Sequence, residues 1–509
     1  MMSKRFTRAR NSLNEPLGER RVFWVALVSS LLLSAWKVFS EGVINSDGIL
    51  YLRAASAFVA DDPRGAFALY PWPFYSWLIS LPIRAFGFSA ENSAQLINAF
   101  FFALTVTVFI GLVKELGGRG AGLWAAAAVI LAYPNLNDYR AFIVRDSGYW
   151  AFYLTALWWF IRFFRNPEWR YAVGWLLAMA VATLFRIEGS IFLVLAPLAF
   201  LWRPESSWHA RFALLARAYS VHIALLVFAI PLYLLFAPEY LQASRLFDPL
   251  LWLRQLTSGV PSLWQTKAAA LESTVLNPYS DHLAYAALIA VFFIILVVEV
   301  IKGVTLLYSA LAAHAAYQRL FYFGRGFFIW FVVLNLTPLM IVLSSSFFLT
   351  GRFVMPLALL FILAAPFSLA ALYASYRERK NPWFPLVCAV LVFMAADGLT
   401  SFGPSKSYLK EAGLWLRENT TSEALVYSDE ARLVYYADKK HSVWNRPFDW
   451  SETTRVITDG SWKNYDYLAL ALSRKRPEHE KWLLEKLDLQ PTRTFKNNRG
   501  DQVLIFKVR

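Results

Sequence analysis

The feature that most limits what this chain can fold into is a series of apolar runs. Each is close to the roughly 20 residues that a helix needs to cross the hydrocarbon core of a bilayer. They lie near 22–40, 93–114, 120–137, 147–164, 171–185, 189–203, 212–237, 283–301, 326–347, 353–376 and 382–399. In lipid a backbone must satisfy its own hydrogen bonds, so runs of this length read as helices. The 171–203 stretch counts as two spans because Arg186-Ile187-Glu188-Gly189 places two charges and a glycine at its centre. Charge divides the chain in the same way. Val22 to Thr400 holds 25 Lys/Arg and 18 Asp/Glu in 379 residues, whereas Ser401 to Arg509 holds 19 and 15 in 109. The expected fold is an α-helical polytopic membrane protein of about 11 transmembrane helices with a small C-terminal α/β soluble domain. Residues 1–21 form a basic tail, 22–400 a membrane domain with outer loops 41–92 and 238–282, and 401–509 the polar domain.

A net charge of +15 raises nucleic acid as a partner, but the basic residues stand in short clusters between apolar runs, the pattern of a membrane protein. No nucleic-acid partner is expected. With the tail (Lys4, Arg5, Arg8, Arg10, Arg20, Arg21) on the cytoplasmic side, alternation gives that side Lys114/Arg119, Arg162/Arg165/Arg170, Arg203/Arg211/Arg217, Lys302/Arg319/Arg325 and Arg377/Arg379/Lys380. The other side receives most of the acids outside the tail, among them Asp47, Asp146 and Glu188. The first span has no small-residue cleavage site after it and reads as retained. Pro71–Phe88, punctuated by Pro71, Pro73, Pro82 and Arg84, reads as a helix at the interface. Cys388 is the sole cysteine, which excludes a disulfide framework and a multi-cysteine metal site.

In the polar domain Ala424–Ser428, Tyr465–Ala471 and 502–508 read as strands. Glu430–Ala437 and Pro477–Leu487 read as helices, and Thr420-Thr421-Ser422 as a turn. The domain has no Gly-rich phosphate loop and no metal-ligand spacing.

Ionisable residues at membrane depth or at its surface are costly and mark pathways or sites. Asp47 and Tyr51 follow the first span, where Ser46 or Asp47 either caps a helix or presents a carboxylate that takes a proton from a nucleophile. Tyr70-Pro-Trp-Pro-Phe-Tyr75-Ser-Trp77 reads as an aromatic belt or a site wall. Arg140, Arg145 and Asp146 lie in the next outer loop, where the last two form either a surface ion pair or part of a phosphate and sugar site. Arg186 and Glu188 fall between two spans and Arg352 opens another; the planar fork of arginine suits phosphate.

The order Asp47-x-x-x-Tyr51, Pro71-x-Pro73-x-Tyr75-x-Trp77-Leu78, Lys114-Glu-Leu-Gly-Gly-Arg119-Gly and Arg145-Asp146 resembles the GT-C superfamily of polyprenyl-phosphate-sugar glycosyltransferases. It is similar in particular to the protein O-mannosyltransferase and lipid A aminoarabinose transferase branch. Arg186-Ile-Glu-Gly189, Gly351-Arg352-Phe-x-x-Pro356 and the tail with Asn498-Arg499-Gly500-Asp501 extend the likeness over nearly the whole chain. The resemblance implies a membrane glycosyltransferase with Asp47 as catalytic base and Asp146 as a second site acid. Arg145, Arg186 and Arg352 would face the donor phosphate, with Tyr51, Tyr75, Arg140 and Glu188 around the substrates. It implies a polyprenyl-phosphate-sugar donor held among membrane lipid and an acceptor that is lipid A, another glycan or a protein. It further implies a bacterial inner membrane, with the N-terminus cytoplasmic and the C-terminal domain periplasmic. Where the family often has Asp-Glu this chain has Asp47-Gly48, which puts metal dependence in doubt. No cofactor and no tightly bound metal are expected. Two rivals are a transporter or flippase of lipid-linked sugars, which calls for charged or broken positions at mid-span in paired halves, and an O-antigen ligase-like enzyme, which usually carries one large outer loop late in the chain.

Overall fold

The computed structural model describes residues 16–203, 207–236, 258–320, 324–400, 406–439 and 450–509. The first four basic residues of the tail, positions 237–257 of the long outer loop and the junction at 401 lie outside the described residues.

The molecule is a helical bundle that carries a small sheet at its C-terminal end. Among the described residues six stretches are long and apolar enough to cross a membrane: Gly18–Glu41, Ala90–Glu115, Trp208–Val227, Asp281–Val304, Gly326–Ser346 and Gly351–Arg379. Shorter apolar helices at Ala121–Leu131, Trp169–Phe185, Gly189–Trp202 and Trp383–Leu399 match four further runs. The remaining run is the Asp146–Arg165 helix, 20 residues long. It lies at the centre of the bundle, with Trp150, Tyr153, Leu154, Leu157 and Phe160 buried. The break expected at Arg186 is present: one helix ends at Phe185, Arg186 is extended, and the next begins at Gly189.

Three segments differ from the expectation. The 353–376 run is two helices, Gly351–Ile362 and Ala365–Arg379. The connection read between 302 and 325 carries a helix, Leu306–Tyr317, whose Tyr308, Leu311 and Ala315 are buried. The first outer loop is also largely helical. Ser46–Val59 turns Tyr51 and Leu52 inward, and the Phe74–Phe86 helix, within the Pro71–Phe88 stretch expected to be helical, turns Tyr75 and Ile79 inward. These amphipathic pieces are too short or too polar for a hydropathy window, and burial of one face stabilises them instead.

The C-terminal unit is a four-stranded sheet, β1 (Val426–Ser428), β2 (Tyr467–Leu472), β3 (Arg493–Lys496) and β4 (Gln502–Lys507), in the order β1-β2-β4-β3. β1 runs parallel to β2, and β4 is antiparallel to both its neighbours. Helices Ala431–Tyr436 and Pro477–Leu487 lie where the sequence placed them. Helices Ser407–Asn419 and Trp450–Thr458, and the edge strand β3, are additions.

Candidate functional site

Two helix starts that are far apart in sequence are tied together by one asparagine. The side chain of Asn45 donates to the Ile143 carbonyl at 3.1 Å and accepts from the Ile143 N–H at 2.7 Å. Gln95 and Asn98 hold the same loop from the other side, donating to the carbonyls of Ala141 (2.8 Å) and Phe142 (2.7 Å). The Asn98 carbonyl oxygen also accepts from Tyr75 (2.8 Å) and Ser147 (2.9 Å). The loop before Asp146 is therefore fixed against both the Asp47 helix and the Tyr75 helix.

Gly48 permits the approach. A Cβ there would stand 2.9 Å from the Ile143 Cβ, closer than real Cβ contacts come. Glycine at position 48 is thus a packing requirement of this contact.

On this frame the charged residues converge. Arg352, at the start of the Gly351–Ile362 helix, donates through Nη1 to Asp47 Oδ2 at 2.7 Å, and the same nitrogen lies 3.9 Å from Asp146 Oδ2. Arg186 bonds Asp146 Oδ1 and also pairs with Glu188. Its guanidinium lies 4.3 Å over the Phe353 ring. The cluster therefore alternates in sign: Asp47, Arg352, Asp146, Arg186, Glu188. Asp47 is not a helix cap. The capping position is Asn45, and the Asp47 side chain points to Arg352.

Exposure separates the two aspartates. The Asp47 side chain is 49% exposed and that of Asp146 is 3% exposed. Among the described residues Asp47 Oδ1 has no hydrogen-bond partner, so a lone pair remains for an incoming proton. Asp146 is enclosed by arginines and orients them.

Arg145 does not pair with its neighbour Asp146. Its guanidinium lies 5.5 Å over the Tyr70 ring, and among the described residues no carboxylate reaches it. Tyr70 and Tyr75 each meet Tyr51 edge-on, at 5.2 and 5.3 Å. Burial, with Tyr70 beside it, holds the Tyr51 phenol well above its ordinary range; it stays a proton donor. Beside the cluster opens a small cleft lined by Tyr149, Arg186, Glu188, Arg352 and Asn335, with Phe192, Leu339 and Phe353 as apolar wall.

One residue singled out in the sequence stands elsewhere. Arg140 is fully buried away from this cluster, bonded to the Ser30 carbonyl and hydroxyl, Ser34 and Asn137. These bonds tie the first span to the loop that carries Arg140. Asn45, Gln95 and Asn98 were not singled out, although an asparagine just before an acid and a Gln/Asn pair three residues apart at a helix start carry the polar signal. Among the described residues no group of three His, Cys, Asp or Glu side chains is placed to hold a metal ion.

No protein-family model and no curated protein sequence matches this chain. Solved structures do. The oligosaccharyltransferase of Archaeoglobus fulgidus, solved with a tethered acceptor peptide containing the NVT sequon, is similar at 14% identity and a TM-score of 0.54, over 94% of this chain and 73% of its own. The mycobacterial arabinofuranosyltransferase AftD matches at 16% identity over 96% of this chain and 41% of its own, with a TM-score of 0.46. The first likeness shows the fold alone: a multi-pass helical membrane body with a C-terminal domain.

Proposed function

We propose that this protein is a membrane glycosyltransferase that moves a sugar from a polyprenyl-phosphate donor to a hydroxyl of a glycan, lipid or protein. The observation that carries the reading is Arg352 spanning Asp47 and Asp146, at 2.7 and 3.9 Å, beside a cleft with an apolar wall. Asp47 takes the proton of the acceptor hydroxyl as the oxygen bonds the anomeric carbon. The bond from that carbon to the phosphate oxygen breaks, and polyprenyl phosphate leaves with the electron pair. One such displacement inverts the anomeric centre. Arg352 and the uncommitted Arg145 face the leaving phosphate, and positively charged groups fixed in advance at a leaving anion are usually the largest electrostatic contribution to such a transfer. Because Asp47 and Asp146 are bridged by Arg352, and Asp146 is further held by Arg186, we assign no tightly bound metal to the step; transfer that survives chelation by EDTA supports this, and transfer lost to EDTA and regained with Mg²⁺ or Mn²⁺ overturns it. The site faces the side opposite the basic loops, the periplasm of a bacterial inner membrane.

The test is Asp47→Asn in purified protein given a polyprenyl-phosphate sugar. Turnover should fall by about 10²–10⁴, the contribution of a general base, with donor affinity retained. Near wild-type turnover would remove Asp47 from the mechanism. Mass spectrometry of surface glycans and glycoproteins in a deletion strain then names the sugar and acceptor.

A further inference from the structure

At the opposite end of the bundle, where the Ala90–Glu115 and Asp146–Arg165 helices finish, a second cleft of about 700 Å³ opens between them and the first span. A 20-residue helix is about 30 Å long, so this cleft is a membrane thickness away from Asp146. Its inner wall is apolar, built from Phe23, Leu104, Val108 and Trp158. Its mouth is cationic.

Three of the four cations at the mouth have acidic partners. Arg162 and Arg165 share Glu115, at 2.9 and 3.5 Å, and Lys114 meets Glu19 at 2.7 Å. Arg119 differs: its Nη1 donates only to the backbone carbonyls of Lys114 (2.8 Å) and Gly118 (3.0 Å), and among the described residues no carboxylate reaches it. A second observation lies deeper. The indole N–H of Trp158, which borders the cleft, is buried without a hydrogen-bond partner among the described residues, an unfavourable state unless a ligand meets it. Arg162 covers the face of the same ring at 4.3 Å.

We propose that this cleft binds an anionic phospholipid from the leaflet on the side of the basic loops. Its phosphate sits on Arg119 and Lys114, its glycerol-ester oxygens lie within reach of the Trp158 N–H, and one acyl chain runs along Phe23, Leu104 and Val108. Basic loops on this side serve topology in any membrane protein, but topology alone requires neither a formed cleft nor an unpaired arginine at its mouth. The proposal stands independently of the transfer chemistry at Asp47.

The experiment is native mass spectrometry of the full chain in detergent, titrated with palmitoyl-oleoyl-phosphatidylglycerol and, separately, with palmitoyl-oleoyl-phosphatidylcholine. The wild type should retain one phosphatidylglycerol in preference to phosphatidylcholine. Arg119→Gln should weaken that binding by about tenfold, the effect of one lost charge-assisted hydrogen bond. Gly111→Leu supplies a variant that keeps every charge: its Cβ meets nothing closer than the Trp158 ring at 3.8 Å, an ordinary contact, and the added bulk at the cleft lining should also displace the lipid. Equal binding in wild type and both variants overturns the proposal. So does loss of the lipid in Arg352→Gln but not in Arg119→Gln, which would move it to the other cleft. Displacement of the bound lipid by millimolar inorganic phosphate alone would make this a free-phosphate site and likewise overturn it.

Discussion

Asp47 and Asp146 are the same side chain in opposite situations, and the difference assigns their roles. Asp146 is shut in at 3% exposure with Arg186 bonded to it. Asp146→Asn would leave Arg186 buried with Glu188 as its remaining carboxylate. Breaking one partner from a buried pair costs about 3–5 kcal/mol, which should appear as a clearly lowered melting temperature in detergent. Asp47 is half exposed, and its ion pair is worth at most about 1 kcal/mol, so Asp47→Asn should melt close to wild type while losing turnover. Equal melting shifts for the two variants would cancel this division of labour. Arg352→Lys keeps the charge but not the fork that meets Asp47 and Asp146 together; donor affinity and turnover should both fall by about tenfold or more, measured as Kd and kcat with the same donor. The acids and arginines of this cluster were legible in the sequence because charge is rare at membrane depth and each such residue draws notice. The inward placement of Arg140 was not legible, because nothing local distinguishes it from Arg145. Its partners, Ser30 and Ser34, lie 110 and 106 residues away.

At the scale of elements, the site depends on how two helix starts are brought together. Asn45 makes both hydrogen bonds to Ile143, and Gly48 lets the backbones approach. Introducing a second acid directly after this aspartate should therefore fail. Gly48→Glu would drive a Cβ into Ile143, displace the loop and cost about 1–3 kcal/mol, as overpacking does. Thermal denaturation and a transfer assay should both record a loss. A gain in turnover with unchanged melting would mean that the glycine is dispensable and a second carboxylate useful. Hydropathy made the long helices visible because a run of apolar residues is a local property. It could not show Ser46–Val59, Leu306–Tyr317 or β3, whose stability comes from partners distant in sequence. β3 is an edge strand with Arg493, Thr494 and Lys496 exposed, so no alternation of apolar and polar residues announces it.

At the scale of the whole molecule, the C-terminal unit is wired to the loop that carries the proposed base. The Asp429 carboxyl, at the end of β1, accepts from the Ala471 N–H at 2.8 Å. Burial, with Glu430 adding to it, pushes this carboxyl up to about 7. A carboxyl raised in the folded state binds its proton more tightly there than in the unfolded chain. The stability it contributes is thus complete below about pH 4 and declines as pH rises toward 7. The C-terminal unit should melt lower at pH 8 than at pH 5, and Asp429→Asn, which keeps the acceptor oxygen, should flatten that slope. From Asp429 the chain runs through Glu430 and Arg432, paired at 2.6 Å, into the Ala431–Tyr436 helix. That helix ends on the membrane body: the buried N–H of Ile44 donates to the Tyr436 hydroxyl at 3.0 Å across 392 residues. Ile44 immediately precedes Asn45, so this bond joins the C-terminal unit to the clamp that sets Asp47. Tyr436→Phe removes the acceptor and strands a buried N–H at a cost of about 1–3 kcal/mol. Because the bond touches no substrate, its loss should act on the position of Asp47: turnover falls several-fold while donor affinity holds. Amide exchange at Ile44 should rise together with that fall. A variant that loses exchange protection at Ile44 yet turns over at the wild-type rate would show that the C-terminal unit is anchored here without governing the site.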